Sequence, residues 1–103
     1  MSRANRPLEY ESVVVSVMKF INTLPGGKAI NIHGSVYSER GTPDILGSIN
    51  GRSIAFECKR DELERPTDIQ QWRLSEWLSA GSVVGCISHV DHVRLILQLM
   101  GVI

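Results

Sequence analysis

The chain has 103 residues, of which 43% are hydrophobic and 21% charged, values typical of one small folded domain over residues 1–103 and not of a disordered or membrane-spanning chain. Eleven lysines and arginines balance eleven aspartates and glutamates, so the net charge of zero argues against a protein that simply coats nucleic acid. Residues 1–7 are basic but lack the apolar run of a signal peptide, so we expect a flexible tail and a cytoplasmic protein.

The first predicted element is an amphipathic helix from Glu9 to Leu24, because apolar residues recur there about every 3.6 residues. Pro25-Gly26-Gly27 ends this helix. Alternation from Lys28 to His33 then predicts a short strand, and a polar loop leads to Pro43. The fixed φ of proline favours an extended entry, which places Asp44 where the next strand begins.

A β-hairpin is predicted next. The strands Ile45–Ile49 and Arg52–Lys59 flank Asn50-Gly51, the dipeptide best suited to a type I′ turn. The period of two in the second strand sets Phe56 and Cys58 on one face. On the other face it places the small side chain of Ala55, the carboxylate of Glu57 and the ammonium group of Lys59.

The rest of the chain alternates helix and strand. Pro66-Thr67-Asp68 opens a helix that runs to about Ala80, with Gly81 as its C-cap. Val83–Ile87 is an apolar strand, and Asp91–Met100 forms a last helix. A helix between two strands predicts a crossover with parallel neighbours. The order αβββαβα therefore predicts an α/β fold with a mixed central sheet, one face covered by the first helix and the other by the helix with both tryptophans.

Asp44 and Glu57 together indicate a metal site. Hydrolysis of a phosphodiester needs a positioned water and a counter-charge, and Mg²⁺ held by oxygen ligands provides both. Asp44 and Glu57 can supply carboxylates, the backbone of Cys58 a carbonyl, and Lys59 can orient the water or neutralise the phosphate. Two simpler interpretations stay open: Asp44 as a turn residue beside Pro43, and Glu57 with Lys59 as a surface ion pair.

These blocks are similar to a known family. Gly41-Thr42-Pro43-Asp44-Ile45-Leu46 and Phe56-Glu57-Cys58-Lys59 resemble the PD-(D/E)XK nuclease superfamily, and the wider pattern resembles its VRR-NUC branch. That pattern covers nearly the whole chain, from an early helix with a glutamate to a glutamine that opens a helix ending in glycine, and then an apolar strand. The resemblance implies a restriction-endonuclease-like core and a Mg²⁺-dependent endodeoxyribonuclease in which Mn²⁺ can substitute.

The resemblance also implies residue roles. It makes Asp44 and Glu57 metal-binding and Lys59 the catalytic lysine. The glutamate of the early helix falls on Glu11, as a further metal ligand, with Glu9 as its nearest competitor. The family's glutamine corresponds to Gln70, with Gln71 as the alternative.

Minimal members of this family, of the bacterial and phage type, resemble Holliday-junction resolvases that act as homodimers on branched DNA. We therefore expect a homodimer that cuts a four-way junction. Cutting of flaps or plain duplex, a sequence-specific restriction nuclease, and a non-catalytic nucleic-acid- or protein-binding module are the alternatives. The chain is short for the extra loops that read bases in the major groove, which disfavours a restriction nuclease.

Other side chains give weaker signals. His89 and His92 have the spacing of a helical metal pair but lack a matching third ligand, and Trp72 and Trp77 could stack on bases although at least one of them should lie in the core. The two cysteines are too few for a disulfide framework or a zinc site, so we expect reduced thiols on strands.

Overall fold

The computed structural model describes residues 6–32 and 39–103. Its elements follow the predicted order of three helices and four strands: α1 (Arg6–Thr23), β1 (Gly27–Asn31), β2 (Ile45–Ile49), β3 (Arg52–Cys58), α2 (Asp68–Ser79), β4 (Val83–Ile87) and α3 (Val90–Leu99).

The four strands form one mixed sheet in the order β1-β2-β3-β4. β1, β2 and β3 are antiparallel, and β4 runs parallel to β3, as the crossover through α2 requires. Between β2 and β3 the predicted turn is present, because Asn50 and Gly51 both have positive φ, 50° and 84°. The predicted hairpin and mixed sheet are confirmed.

Helices cover both faces of the sheet. α1 and α3 contact each other on one face and enclose the main core, to which β3 contributes Ile54, Phe56 and Cys58. α3 lies close to β4 at Gly85, where a Cβ atom would lie 2.7 Å from Cδ1 of Ile96, the end of a side chain that can move aside. α2 packs on β3 and β4 from the other face, where Glu57 and Lys59 meet it. The predicted layers and face assignments of β3 are confirmed.

α2 is less buried than its sequence suggested. It has no fully buried residue, Trp72 is 60% exposed, and Trp77 is half-buried. The expectation that one tryptophan lies in the core is therefore wrong. The reason is that, among the described helices and strands, α2 contacts β3 and β4, and on this face β3 presents Ala55 and Glu57 and not a large apolar side chain.

Two boundaries also differ from the prediction. α1 begins at Arg6, so residues 6 and 7 belong to the helix and not to a tail, while residues 1–5 lie outside the described residues. β1 ends at Asn31, and the predicted strand end at His33 lies outside them as well. Among the described residues, no helix is long and apolar enough to cross a membrane.

Candidate active site

The candidate site forms where β2 begins and β3 ends. Ile45 pairs with Phe56 in the antiparallel ladder, so the next step of this register sets Asp44 opposite Glu57. The backbone N–H of Cys58 donates a hydrogen bond of 2.9 Å to Oδ2 of Asp44. This bond fixes the Asp44 carboxylate at the end of β3, beside Glu57.

Asp44 and Glu57 form a buried pair of like charges. Asp44 is 1% exposed to solvent, and Glu57 is 2% exposed. Burial, followed by the negative charge of Asp44, raises the pKa of Glu57 to about 8, whereas the nearby Lys59 lowers it. Oε2 of Glu57 accepts no hydrogen bond from any residue that the structure describes. Because two ionised carboxylates repel, this arrangement requires either a shared proton or a cation.

Gln70, near the start of α2, connects the ionisable groups of β3. Its Oε1 accepts hydrogen bonds from Nζ of Lys59 and from the backbone N–H of Thr67, both at 2.9 Å. Its Nε2 donates to Oε1 of Glu57 at 3.1 Å. Since a backbone N–H can only donate, Thr67 determines which end of the amide is oxygen and thereby turns the NH₂ group toward Glu57.

The same residue pair caps α2. The backbone N–H of Gln70 donates to Oγ1 of Thr67 at 3.3 Å, which completes a capping box with the bond from the Thr67 N–H to the Gln70 side chain. Gln71 is exposed, and its side chain donates to the carbonyl of Pro66 instead. Of the two candidate glutamines, Gln70 is the one that contacts Lys59 and Glu57.

α1 brings a further group to the site. Burial and then the charge of Asp44 raise the pKa of the Tyr10 hydroxyl well above its usual value, so the ring lies close to the carboxylates. On the neighbouring residue, Glu9, Oε1 is buried and accepts no hydrogen bond from the described part of the chain. Glu11 is exposed. Burial thus favours Glu9 over Glu11 as the carboxylate of α1.

The donor set fits a cation that takes oxygen ligands. Within residues 6–32 and 39–103, no three side chains of His, Cys, Asp or Glu converge as a complete metal cluster. Asp44 and Glu57 alone would hold such an ion together with backbone carbonyl, water or substrate oxygens, which is how Mg²⁺ is commonly bound. The unpaired Oε2 of Glu57 is the atom that most needs such a partner.

His89 and His92 present no metal-binding lone pair. Nδ1 of His92 accepts a hydrogen bond from the backbone N–H of Ser88 at 3.2 Å, and Nδ1 of His89 accepts one from that of Asp91 at 3.0 Å. A neutral imidazole whose Nδ1 accepts carries its hydrogen on Nε2. Both outward-facing nitrogens are therefore donors.

Sequence reasoning missed two residues that belong to this arrangement. Thr67 holds Gln70, and the Thr-x-x-Gln capping-box spacing could have revealed it. Tyr10 precedes the buried Val14 and Val17 at the helical spacing i, i+4 and i+7, so extending the apolar face of α1 by one turn would have found it.

A comparison with solved structures supports the fold. A protein named "VRR_NUC domain protein" superimposes on this chain with a TM-score of 0.68 and 17% sequence identity, over 86% of this chain and 84% of that one. No protein-family model and no curated protein matches the sequence. The mixed four-stranded sheet flanked by three helices is therefore a VRR-NUC fold of the restriction-endonuclease-like type, as the sequence predicted.

Proposed function

We propose that the protein is a metal-dependent nuclease that hydrolyses phosphodiester bonds in DNA. One observation carries the proposal: the buried carboxylates of Asp44 and Glu57 lie together beside an ammonium group, Lys59, that Gln70 holds in place. A buried pair of carboxylates destabilises a small domain unless it binds a proton or a cation, so its presence points to function. The VRR-NUC fold supports the same reaction class by analogy.

The ion that suits this site best is Mg²⁺, with Mn²⁺ as a substitute. Asp44 and Glu57 would hold it, with the backbone carbonyl of Cys58 as a further ligand. When bound, the ion supplies positive charge that stabilises the transition state and lowers the pKa of water. We assign the additional carboxylate to Glu9, because its Oε1 is buried without a described partner whereas Glu11 faces solvent.

Lys59 acts on the attacking water or on the phosphate. An ammonium group has three N–H donors, and Gln70 accepts one of them. Because the amide of Gln70 is neutral, the hydrogen bond orients Lys59 without cancelling its charge. The two remaining donors can orient a water molecule and contact a non-bridging phosphate oxygen, which places positive charge where negative charge develops.

The finer proposal is a homodimer that resolves a four-way DNA junction. The support is the resemblance to resolvase-like VRR-NUC members and the single candidate site among the described residues, whereas a symmetric junction presents two strands to cut. Leu95 and Leu99, one turn apart on α3, are 54% and 76% exposed and offer an apolar surface for a second subunit.

The decisive experiment compares cleavage of a four-way junction, a flap and a linear duplex in Mg²⁺, Mn²⁺ and EDTA. Glu57→Gln and Lys59→Ala should each reduce cleavage by roughly 100-fold or more while circular dichroism stays unchanged. Glu39→Gln is the matched control, because that side chain is 73% exposed and pairs with Arg73, away from the proposed site. Cleavage of flaps or duplex alone would keep the nuclease and reject the junction. No metal-dependent cleavage of any substrate would reject the nuclease and favour a binding module.

A further inference from the structure

A cavity of about 240 Å³ opens beside Lys59, between the β3–α2 connection and the start of α3. We call it the flanking cavity. Its wall includes Lys59, Arg65, Ser88 and His92, but neither of the two buried carboxylates. It lies at the carboxyl ends of the parallel strands β3 and β4, which is where α/β sheets commonly bind ligands.

Two cationic side chains in this wall are available to an anion. Arg65 forms no hydrogen bond or ion pair with any residue in the described part of the chain. Lys59 hydrogen-bonds the neutral amide of Gln70. An arginine left unpaired in the wall of a cavity can donate two parallel hydrogen bonds to a phosphate group.

Three carboxylates also line the cavity, but two of them are already paired. Nε of Arg60 lies 3.5 Å from Oδ2 of Asp61, and its Nη1 lies 2.5 Å from Oε2 of Glu64. Oδ1 of Asp61 accepts hydrogen bonds from the backbone N–H groups of Leu63 and Glu64, at 2.9 and 3.1 Å. The third carboxylate, Glu62, is 83% exposed, so solvent and salt screen its charge.

His92 adds a neutral or cationic donor. Because its Nδ1 accepts the Ser88 N–H, its hydrogen lies on Nε2. That Nε2 is 3.9 Å from Oε1 of Glu62, which is longer than a hydrogen bond. The donor is therefore still available in the wall of the cavity, whether or not the ring is protonated.

We propose that the flanking cavity binds a backbone phosphate of the DNA strand that is cut, next to the scissile one, with Arg65 and His92 as its donors. This inference rests on the proposed function, since a strand that passes Lys59 would present one phosphate to the carboxylates and a neighbouring one to the cavity. Such a contact positions the strand and carries no sequence information.

The test is DNA binding without cleavage, measured by fluorescence anisotropy on a labelled four-way junction and a linear duplex, in EDTA and over a range of NaCl concentrations. Arg65→Ala should weaken binding about 10-fold and reduce the slope of log K against log[NaCl] by about one. His92→Ala should weaken binding about threefold to tenfold. His92→Gln keeps a side-chain N–H donor and should restore part of the loss.

Matched controls lie outside the cavity. Arg52→Ala removes the same charge at the hairpin end of β3, roughly 20 Å from Lys59. His89→Asn removes a neighbouring histidine that does not line the flanking cavity and retains a good N-cap for α3. Glu62→Gln should change binding by less than about twofold, since solvent and salt already screen that exposed charge. If the wild type cuts DNA while Arg65→Ala and His92→Ala bind like the controls, the inference is wrong and the nuclease stands. If the wild type neither binds nor cuts DNA, both proposals are wrong.

Discussion

At the scale of single residues, the electrostatic repulsion between two neighbouring carboxylates lowers the stability of the folded chain at the site. The Cys58 N–H donates a hydrogen bond that holds the Asp44 carboxylate in place. In Glu57, Oε1 accepts a hydrogen bond from the Gln70 amide, whereas Oε2 accepts none from the described residues. Lys59 relieves part of the repulsion within this pair, and binding of a proton or a cation relieves the rest. Proton binding and cation binding therefore compete, and both should be measurable as changes in stability.

The first prediction is that the metal-free protein loses stability as the pH rises. The pKa of Glu57 is raised from an ordinary 4.5 to about 8 in the folded chain, so between these values the folded state binds more protons than the unfolded state. The free energy of unfolding should therefore fall from about pH 4.5 to 8, by at most about 1.4 kcal/mol per pH unit. Urea denaturation in EDTA at several pH values measures it.

Glu57→Gln is the informative variant for this prediction, because an amide cannot ionise. Its stability in EDTA should stay nearly constant across this range, and Mg²⁺ should stabilise it less than the wild type at pH 8. Glu62→Gln, with its exposed side chain, should follow the wild type. A wild-type protein whose stability is independent of pH would contradict the buried like-charge pair.

The second prediction concerns the choice between Glu9 and Glu11. Glu9→Gln should lower cleavage and Mg²⁺ affinity by roughly 10-fold to 100-fold, because it neutralises a buried oxygen on the residue before Tyr10, whose ring lies close to the carboxylates. Glu11→Gln alters an exposed side chain and should change neither by more than about twofold. Metal titrations followed by thermal shift would compare the two, and a larger loss for Glu11→Gln would reverse the assignment.

At the scale of elements, the first turn of α2 has two tasks. Thr67 and Gln70 cap the helix, and the same Gln70 side chain holds Lys59 and Glu57. The position of the lysine therefore depends on where α2 begins. A change that preserves the cap but alters the polarity of the Gln70 side chain separates these two tasks.

Gln70→Glu is that change, and it is the third prediction. Glutamate preserves a capping box with Thr67 and an interaction with Lys59, so the folding stability should stay within about 1 kcal/mol of the wild type. It replaces the donor that faces Glu57 by a negative charge. Cleavage should therefore fall by roughly 10-fold to 100-fold, most strongly at low Mg²⁺ concentration.

The neighbouring Gln71→Glu introduces the same charge one residue further, on a side chain that bonds only the Pro66 carbonyl among the described residues. It should cleave like the wild type. Equal activities for the two variants would show that the amide of Gln70 does not position the site.

Thr67→Ser keeps the capping oxygen and should be active, whereas Thr67→Ala should cost about 1 kcal/mol of stability and lower activity.

Local patterns predicted most elements because local interactions form them. The turn at Asn50-Gly51 needs positive φ at both residues, and these two residue types tolerate it. Thr67 and Gln70 likewise mark the start of α2 through bonds within four residues. The exposure of Trp72 could not be predicted in this way, because it depends on which strands α2 crosses.

At the scale of the whole molecule, the predicted site residues Asp44, Glu57, Lys59 and Gln70 come together because the hairpin and the crossover end at the same edge of the sheet. The motif spacing was enough to predict that meeting. It could not predict that Oε1 of Glu9 is buried, that Tyr10 approaches Asp44, or that a cavity separates Lys59 from His92. Those features depend on how α1 and α3 pack against the sheet, which pairs residues far apart in the chain.

The last prediction tests whether two subunits act together, as the proposed junction resolvase requires. Wild-type and Glu57→Gln subunits with different tags can be co-expressed, and the mixed dimer purified through both tags. A mixed dimer has one competent pair of carboxylates, so on a supercoiled plasmid with an extruded cruciform it should make single nicks. The wild-type dimer should make paired cuts that linearise the plasmid, because both strands of one junction are cut before the complex dissociates. Failure to recover a doubly tagged complex, together with a monomer mass in light scattering, would contradict the homodimer while leaving the chemistry of the single site untouched.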